Sequence, residues 1–369
     1  MMQHLTYQIF ILPVRRVLIP KKGVALLMVI WILMLLTVIV TEFCYTMRSQ
    51  TNITRNLKES TQAYYVAQAG INRAIAAVIK DQMAPANNRS EEEAALDDDQ
   101  SPEWRINTEM PPIEFGQGSF TVRIQNESGR VDLNRAGPKI LRAVLKGFDL
   151  DEEHRDTIVD SILDWRDAND RHRPNGAEDK YYQSLDPPYA CKDADFDSVA
   201  ELLLVKGVTP EIFYSGLEQI TTVLPAAGDK DGDDKTIEED FDFNRVNINA
   251  ATPAMWRLLP GMTPELVEAV EEFRKEDEFR SKSQLVEVLG GEVYGKIAPY
   301  IDFDSLSYYS ISAVGGVSGS GSRQGIEVTI VLDPEADKGY QIISWRDGIR
   351  ENNAALLTAG NHESEQRSF

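Results

Sequence analysis

The chain has 369 residues, enough for two domains or for one domain that carries a large insertion. Its formal net charge of −21 would repel phosphate groups, which argues against nucleic acid as a partner. Its two cysteines, Cys44 and Cys191, are too few for a disulfide framework, and we expect both to be unpaired.

An apolar run from Val24 to Val40 is the first strong feature of the sequence, with seventeen residues and no charge. A helix of that length, at about 1.5 Å per residue, would measure roughly 26 Å, close to the thickness of a bilayer core. Four basic residues between positions 15 and 22 precede the run and predict that this side faces the cytoplasm. The sequence therefore predicts a transmembrane segment over 24–43, with the rest of the chain outside the inner membrane.

A leader peptide is predicted over residues 1–23. The Lys-Lys-Gly before the apolar run resembles the site where prepilin peptidase cuts type IV pilins and pseudopilins, here between Gly23 and Val24. A secretory signal peptide fits less well, because no small-residue cleavage site follows the run. The resemblance implies a mature chain that starts with its membrane helix and carries a methyl group on the amine of Val24.

The helical pattern continues beyond the membrane segment. Between Arg48 and Lys80 there is no proline, and apolar residues recur at steps of three and four, which predicts one apolar face. We expect one continuous helix over 24–80; an anchor followed by a separate amphipathic helix remains the alternative.

Strand-like segments lie on both sides of a long central region. Phe115–Ile124 alternates apolar and polar residues within 81–133, a region that begins with a polar, proline-containing loop. We expect these strands to pair with those of 305–346, which makes 134–304 an insertion, and we expect a disordered tail over 347–369. The candidate downstream strands are Tyr308–Val314, Ile326–Leu332 and Tyr340–Trp345.

The insertion contains an internal repeat. The segment VDLNRAGP, from Val131, matches VNINAATP, from Val246, 115 residues later. Each copy continues into two helices around a glycine turn, which resembles a helix-hairpin-helix. We therefore predict an α+β chain: a pseudopilin-like long helix and small antiparallel sheet, interrupted by an all-α domain with helix-hairpin-helix-like (SAM-like) repeats over 134–222 and 246–304.

These hairpins are predicted to serve as a packing scaffold. Backbone N–H groups at such a turn hold a phosphate in DNA-binding examples. Here the second helix of the second copy carries four glutamates, which would repel a phosphate: Glu265, Glu268, Glu271 and Glu272.

An Asp-rich segment near 165–195 offers many carboxylate oxygens around proline and glycine turns. Calcium takes six to eight oxygen ligands with irregular geometry, so the segment suits calcium; a solvated acidic surface loop is the alternative. A second acidic run, from Asp229 to Asp234, imitates an EF-hand loop but has Asp234 where that loop needs glycine, which favours an acidic linker. No catalytic motif or acid/base pair stands out, so we expect no enzyme.

Taken together, these segments resemble a type II secretion minor pseudopilin family, general secretion pathway protein K. The resemblance covers most of 21–345 and depends on the order of several motifs, each weak alone. They are KKGVALLMVIW, AYYVAQAGINRA, NESGRVDLNRA, ILDWRDAND with RPNGAED, DPPYA, FDSVAELLLVKG and VNINAATP.

The resemblance implies a non-enzymatic subunit at the tip of the periplasmic pseudopilus, involved in protein export across the outer membrane. Ordinary pilins carry glutamate at the fifth mature residue, where this chain has Met28, and this absence fits a subunit with none above it. The expected partners are the minor pseudopilins I, J and H, the major pseudopilin and prepilin peptidase. It also implies calcium in the helical domain, for which the candidate ligands are Asp167, Asp170, Glu178, Asp179 and Asp195.

Two other functions remain as alternatives. A minor pilin of a type IV pilus or DNA-uptake machine would keep the leader chemistry but not the paired VDLN and VNIN segments. A calcium-dependent envelope hydrolase with an uncleaved anchor would need an acid/base pair that the sequence does not single out.

Overall fold

The structure is a computed structural model, and it describes residues 22–83, 104, 106–107, 110–225 and 241–348. The chain divides into two units, one up to Lys58 and one from Glu59 onward. The acidic run at 229–234 and nearly all of the predicted tail and leader lie outside the described residues.

A single helix, α1 (Lys22–Met83), begins in the first unit and ends in the second, as the unbroken pattern predicts. In the first unit its residues from Val24 to Val40 are exposed on every side. Thr37 donates its hydroxyl to the carbonyl oxygen of Leu33 at 2.8 Å, so this hydroxyl is satisfied within the helix. Within the described residues, α1 is the helix long and apolar enough to cross a membrane.

The second unit is built on a five-stranded antiparallel sheet of β1 (Ile113–Phe115), β2 (Gly118–Asn126), β7 (Tyr308–Val317), β8 (Arg323–Leu332) and β9 (Tyr340–Asp347). The strands pair in the order β1-β2-β7-β8-β9. Strand β2 alternates buried and half-buried residues along its length, as expected where one face packs against a helix. Its pairing with β7, which sets Val122 opposite Ala313, confirms the expected pairing of the two strand regions.

The predicted strand from Phe115 to Ile124 is in fact two strands. Gly116 adopts a φ of +62°, which lets the chain turn between β1 and β2 so that Phe115 lies opposite Gly118. Downstream, β7 extends beyond the predicted end at Val314, through Gly315 and Gly316.

The C-terminal part of α1 packs on one face of this sheet. Small and apolar residues at three- and four-residue steps are fully buried there, among them Ala67, Ile71 and Ala74. They contact the inward side chains of the strands, such as Val122 and Ile311. This helix and sheet form one core cluster.

Residues 127–307 lie between β2 and β7 and hold a second, larger core. This segment is not purely helical as predicted: Val131–Asp132 (β3) pairs in parallel with Thr221–Thr222 (β4), and Val246–Asn247 (β5) with Ile301–Asp302 (β6). The two-residue bridges arise because the start of each repeat returns beside its own end, where its backbone groups find partners.

The helices of this segment are short, and threonine, serine and aspartate cap several of them. They are α2 (Pro138–Leu145), α3 (Glu152–Arg166), α4 (Asp179–Tyr182), α5 (Pro210–Ile212), α6 (Glu218–Ile220), α7 (Pro253–Leu258), α8 (Pro264–Glu276), α9 (Lys282–Leu289) and α10 (Gly291–Ile297). The 3-10 turns are Glu127–Gly129, Val199–Leu204 and Ala298–Tyr300, and a π-helical turn covers Phe213–Leu217.

Candidate functional site

The Asp-rich segment follows α3, and ion pairs hold it against the end of that helix. Asp164, fully buried near the end of α3, accepts hydrogen bonds from the backbone N–H of Arg173 at 3.0 Å and from its guanidinium at 2.5 Å. Asp167 accepts a second guanidinium bond at 2.6 Å. Arg173 therefore neutralises two of the carboxylates that the sequence gathers here.

A cluster of packed aromatic rings also holds the Asp-rich segment in place. The ring of Trp165 meets the fully buried ring of Tyr182 edge-on at 5.1 Å, and Tyr189 lies 5.3 Å from Tyr182. Such pairs fix the path of the chain on both sides of α4. The segment is therefore held in place by packing as well as by its ion pairs.

A group of three side chains lies at the centre of the segment. One carboxylate oxygen each from Glu178 and Asp193 and the Sγ of Cys191 all lie within 4.8 Å of one another. Glu178 is only 5% exposed and Cys191 only 6%. Both oxygens of Glu178 and the Oδ1 of Asp193 are buried without a hydrogen-bond partner, which is costly for a charged group.

The electrostatics of this cluster disfavour additional negative charge. Burial, followed by the charges of Asp164, Asp167 and Asp193, raises the pKa of Glu178 to about 7. Burial also raises the pKa of the Cys191 thiol to about 12. A bound cation would reverse both effects, because it would favour the ionised forms of its ligands.

The five residues predicted from the sequence as calcium ligands are only partly brought together. Glu178 belongs to the cluster, whereas Asp167 is bound by Arg173. Asp179 begins α4 and accepts the backbone N–H of Cys191 at 2.7 Å. Asp170 and Asp195 are exposed. Cys191 and Asp193 were not among the five, since no regular spacing connects them to Glu178 across the intervening helix and loop.

The two repeats share one hydrogen-bond pattern. In the first, the side-chain oxygen of Asn134 accepts the backbone N–H of Phe196 at 2.7 Å, and its amide donates back to the Phe196 carbonyl at 3.1 Å. Asn249 makes the same pair of bonds with Phe279, both at 2.9 Å. The matching asparagines of VDLN and VNIN thus connect the start of each repeat to its later half.

An arginine completes each repeat. The guanidinium of Arg166 donates to the carbonyl oxygens of Leu133 and Ala136, and that of Arg274 to those of Asn249 and Ala251. Both guanidinium groups therefore donate hydrogen bonds to backbone carbonyl oxygens of their own repeat. This arrangement gives the hairpins a packing role.

The predicted processing site lies at the start of α1. The helix begins at Lys22, so Gly23 and Val24 belong to its first turn. Val24 and Met28 are each 59% exposed on the apolar surface of the helix. Cleavage after Gly23 stays a prediction.

A model of a known protein family, the type II secretion system (T2SS) protein K, matches residues 123–226. A protein K of this system from Aeromonas hydrophila is 26% identical over 65% of this chain and 70% of its own length. The Pseudomonas aeruginosa protein K is 26% identical over 70% of this chain and 76% of its own. A relative from Escherichia coli K12, also named as a protein K of this system, is 27% identical over 79% of this chain and 90% of its own length.

The fold also has a solved counterpart. One chain of the GspK-GspI-GspJ complex from the enterotoxigenic Escherichia coli type 2 secretion system has a TM-score of 0.50 at 15% identity. The match covers 82% of this chain and 99% of that one. It supports a mixed fold with a long N-terminal apolar helix and an antiparallel sheet. The chain is therefore similar to type II secretion system protein K in the matched segment, in sequence over most of its length and in fold.

Proposed function

We propose that this chain is a minor pseudopilin of the type II secretion system that acts without catalysis as the tip subunit of the pseudopilus. One observation carries the proposal, and it concerns how α1, the sheet and the inserted segment are connected. The apolar start of α1 continues into a C-terminal half of the same helix, which packs on the antiparallel sheet. Residues 127–307 interrupt that sheet between β2 and β7. A helix that is apolar on all sides needs lipid or other apolar helices around it. The interrupting segment adds bulk that a closely packed filament has little room for.

The membrane arrangement follows from the same helix. The basic residues before the apolar run hold the N-terminal side in the cytoplasm, and the sheet and the helical segment lie in the periplasm. Prepilin peptidase cuts between Gly23 and Val24 and methylates the new amine. The inner membrane then retains the mature chain through one helix.

The place at the tip is supported by Met28. An ordinary pilin uses the glutamate at this position to meet the N-terminal amine of a neighbouring subunit. Met28 offers an exposed apolar side chain and no carboxylate. A subunit without this carboxylate lacks that contact and caps the filament.

The partners follow from the solved complex, whose description joins GspK with GspI and GspJ. We propose that this chain assembles with the minor pseudopilins I and J of its own system, with H and the major pseudopilin below. Association between apolar helices in lipid depends on close packing. The exposed apolar part of α1 provides such a surface.

We further propose that the inserted segment consists of two helix-hairpin-helix-like units of the SAM-like kind. Between α7 and α8, Gly261 adopts a φ of +85°, and α8 carries five glutamates, which supports packing instead of phosphate binding. The duplicated asparagine and arginine bonds support the same interpretation.

A calcium ion in the Asp-rich segment belongs to this proposal. The residues present fit it, because three buried carboxylate oxygens of Glu178 and Asp193 have no other partner. The other predicted ligands, Asp167, Asp170, Asp179 and Asp195, remain candidates for an outer set. When bound, the ion would stabilise the loop by offsetting the charges of its carboxylates.

The role in secretion is tested in the bacterium that encodes the chain. Deleting the gene should retain secreted proteins in the periplasm, and the full-length chain supplied in trans should restore export. If export stays normal while pili or DNA uptake are lost, the chain is a minor pilin instead. If neither process changes, the secretion function is wrong.

Calcium is tested by thermal unfolding of the full-length chain in detergent, with and without a chelator. At a calcium concentration about 100 times the dissociation constant, binding should add about 2.7 kcal/mol to the free energy of unfolding. Glu178→Gln should abolish this gain, and Asp186→Asn, in an exposed position of the same segment that is not a candidate ligand, is the matched control. A gain that survives Glu178→Gln would contradict the proposed ligand set.

A further inference from the structure

The inserted segment is joined to the sheet by two connections of the chain. Residue 127 follows β2 directly, and residues 303–307 lead from β6 back to β7. A domain carried on two such connections normally moves relative to the domain that carries it, unless the interface between them prevents this. The residues around the two connections therefore decide whether the sheet and the inserted segment move separately or together.

We propose that the two connections meet in a rigid joint, which makes the inserted segment and the sheet move as one body. The joint consists of a polar turn, residues 126–130, and an apolar plug, whose buried members are Leu224, Leu306 and Tyr308. The proposal concerns the mechanics of the fold and does not depend on the proposed role in secretion.

The polar turn connects the entrance of the inserted segment to its exit. The side-chain amide of Asn126, at the end of β2, donates to the backbone carbonyl oxygen of Leu306 at 2.7 Å, 180 residues later in the chain. The Oδ1 of Asn126 accepts the backbone N–H of Ser128 at 3.0 Å. All three residues are buried, so water cannot replace these bonds without opening the joint. One asparagine side chain therefore holds both connections together.

Arg130 stiffens the same turn. Its guanidinium donates to the Oε1 of Gln125 in β2 at 3.0 Å and to the Oε1 of Glu127 at 3.3 Å. Its backbone N–H donates to the carbonyl oxygen of Glu127 at 3.1 Å. Bending the chain between the sheet and the inserted segment would break these bonds.

Gly129 presses the turn against the second repeat. A Cβ atom on Gly129 would lie 2.2 Å from the carbonyl carbon of Ala250 and 2.6 Å from the backbone nitrogen of Ala251. Backbone therefore contacts backbone here, and no side chain can yield. The carbonyl oxygen of Ala251 in turn accepts a bond from Arg274 at 2.7 Å, so the surface that Gly129 contacts is itself fixed.

The apolar plug is a small core that belongs to both bodies. It is separate from the core of the inserted segment and from the core between α1 and the sheet. Leu224 comes from the inserted segment and Tyr308 from β7. Three partly buried side chains pack against it, namely Phe241, Phe243 and Val331. Moving the two bodies apart would expose these apolar groups to water.

Leu306 belongs to both parts of the joint. Its backbone carbonyl accepts the bond from Asn126, and its side chain is buried in the plug. Rotation at the turn would therefore pull on the plug, and sliding at the plug would break the bond of the turn. This coupling makes the two contacts act as one joint.

The experiment measures distances between spin labels by double electron–electron resonance on the full-length chain in detergent. Cys44→Ser removes the exposed native thiol, and Cys191 is only 6% exposed and should stay unlabelled. One pair of labels crosses the joint, from Glu114→Cys in β1 to Glu287→Cys in α9. A second pair lies within the inserted segment, from Glu152→Cys in α3 to Glu287→Cys. All three glutamates are exposed.

Without further change, the pair across the joint should give one narrow distance distribution. Gly129→Ala must move the turn by about 1 Å to reach an ordinary contact, so this distribution should shift and broaden. Leu224→Ala empties part of the plug and should broaden it as well. Gly295→Ala is the matched control, because a Cβ there would meet nothing within 4 Å, and it should change neither pair. The pair within the inserted segment should stay narrow in every variant.

A broad or two-peaked distribution across the joint in the chain without further change would overturn the proposal. An unchanged distribution in both Gly129→Ala and Leu224→Ala would do the same. If the pair within the inserted segment broadens together with the pair across the joint, the motion lies inside that segment and the joint is not what restrains it. Should Gly129→Ala fail to fold, Leu224→Ala provides the same test.

Discussion

The backbone of α1 lies very close to Gly315 of β7. A Cβ atom at this position would lie 2.3 Å from the carbonyl oxygen of Ala63 and 2.4 Å from the backbone nitrogen of Ala67. Both are backbone atoms of the helix, so no flexible side chain can give way. To reach an ordinary contact near 3.4 Å, the helix would have to move about 1 Å away from the strand.

Gly315→Ala should therefore destabilise the second unit. Overpacking of this kind typically costs about 1–3 kcal/mol, and the upper end is expected because rigid backbone must move. At roughly 2–4 °C per kcal/mol, the melting temperature should fall by about 6–12 °C. Fully buried Ala67, Ile71 and Ala74 would lose contact with the sheet together.

The adjacent Gly316 provides a matched control. A Cβ there has its nearest neighbours at 3.7 and 3.9 Å, on Arg323 and Ser322, so Gly316→Ala should shift the melting temperature by no more than about 2 °C. Both variants are compared with wild type by circular dichroism in the same detergent. Equal melting temperatures for Gly315→Ala and Gly316→Ala would refute the argument from helix packing.

Three further substitutions test the inserted segment by chemical denaturation. Asn134→Ala should lower the free energy of unfolding by about 2–4 kcal/mol, because both backbone groups of Phe196 lose their partner; a loss below about 0.5 kcal/mol would show that the bonds do not matter. Arg274→Lys should cost about 1–3 kcal/mol, since lysine has no planar fork for two carbonyl oxygens, and unchanged stability would contradict this. Gly261→Ala should cost about 1–2 kcal/mol through its positive φ, and a stabilised variant would argue against that turn.

The sequence was a good guide to the sheet because alternation is local information. Phe120, Val122 and Ile124 follow one another at every second position, and all three are buried against α1. The turn at Gly116 was missed because a glycine within an alternating run does not reveal its φ. The short parallel bridges were missed as well, since two residues are too few to produce a pattern.

The cluster of Glu178, Cys191 and Asp193 shows what the sequence alone cannot predict. Asp167 and Glu178 were chosen because aspartates and a turn surround them, yet Arg173 binds Asp167. Cys191 joins Glu178 only through the fold of α4 and the loop after it. Which carboxylates are neutralised by arginine and which are left without a partner depends on tertiary structure.

The internal repeat could be predicted from the sequence only in part. The match of VDLN to VNIN indicated duplication, and the structure gives Asn134 and Asn249 the same bonding role. The arginines that complete the pattern lie at different distances from the matched segments, so the alignment did not single them out.

The proposed function depends most directly on the N-terminus of the mature protein. Mass spectrometry of the full chain from inner membranes of a bacterium with prepilin peptidase should find Val24 as the first residue, with one methyl group. Gly23→Leu should remain uncut and serves as the control for the cleavage site. An intact leader on the wild-type chain would contradict processing as a pseudopilin and, with it, the place at the tip of the filament.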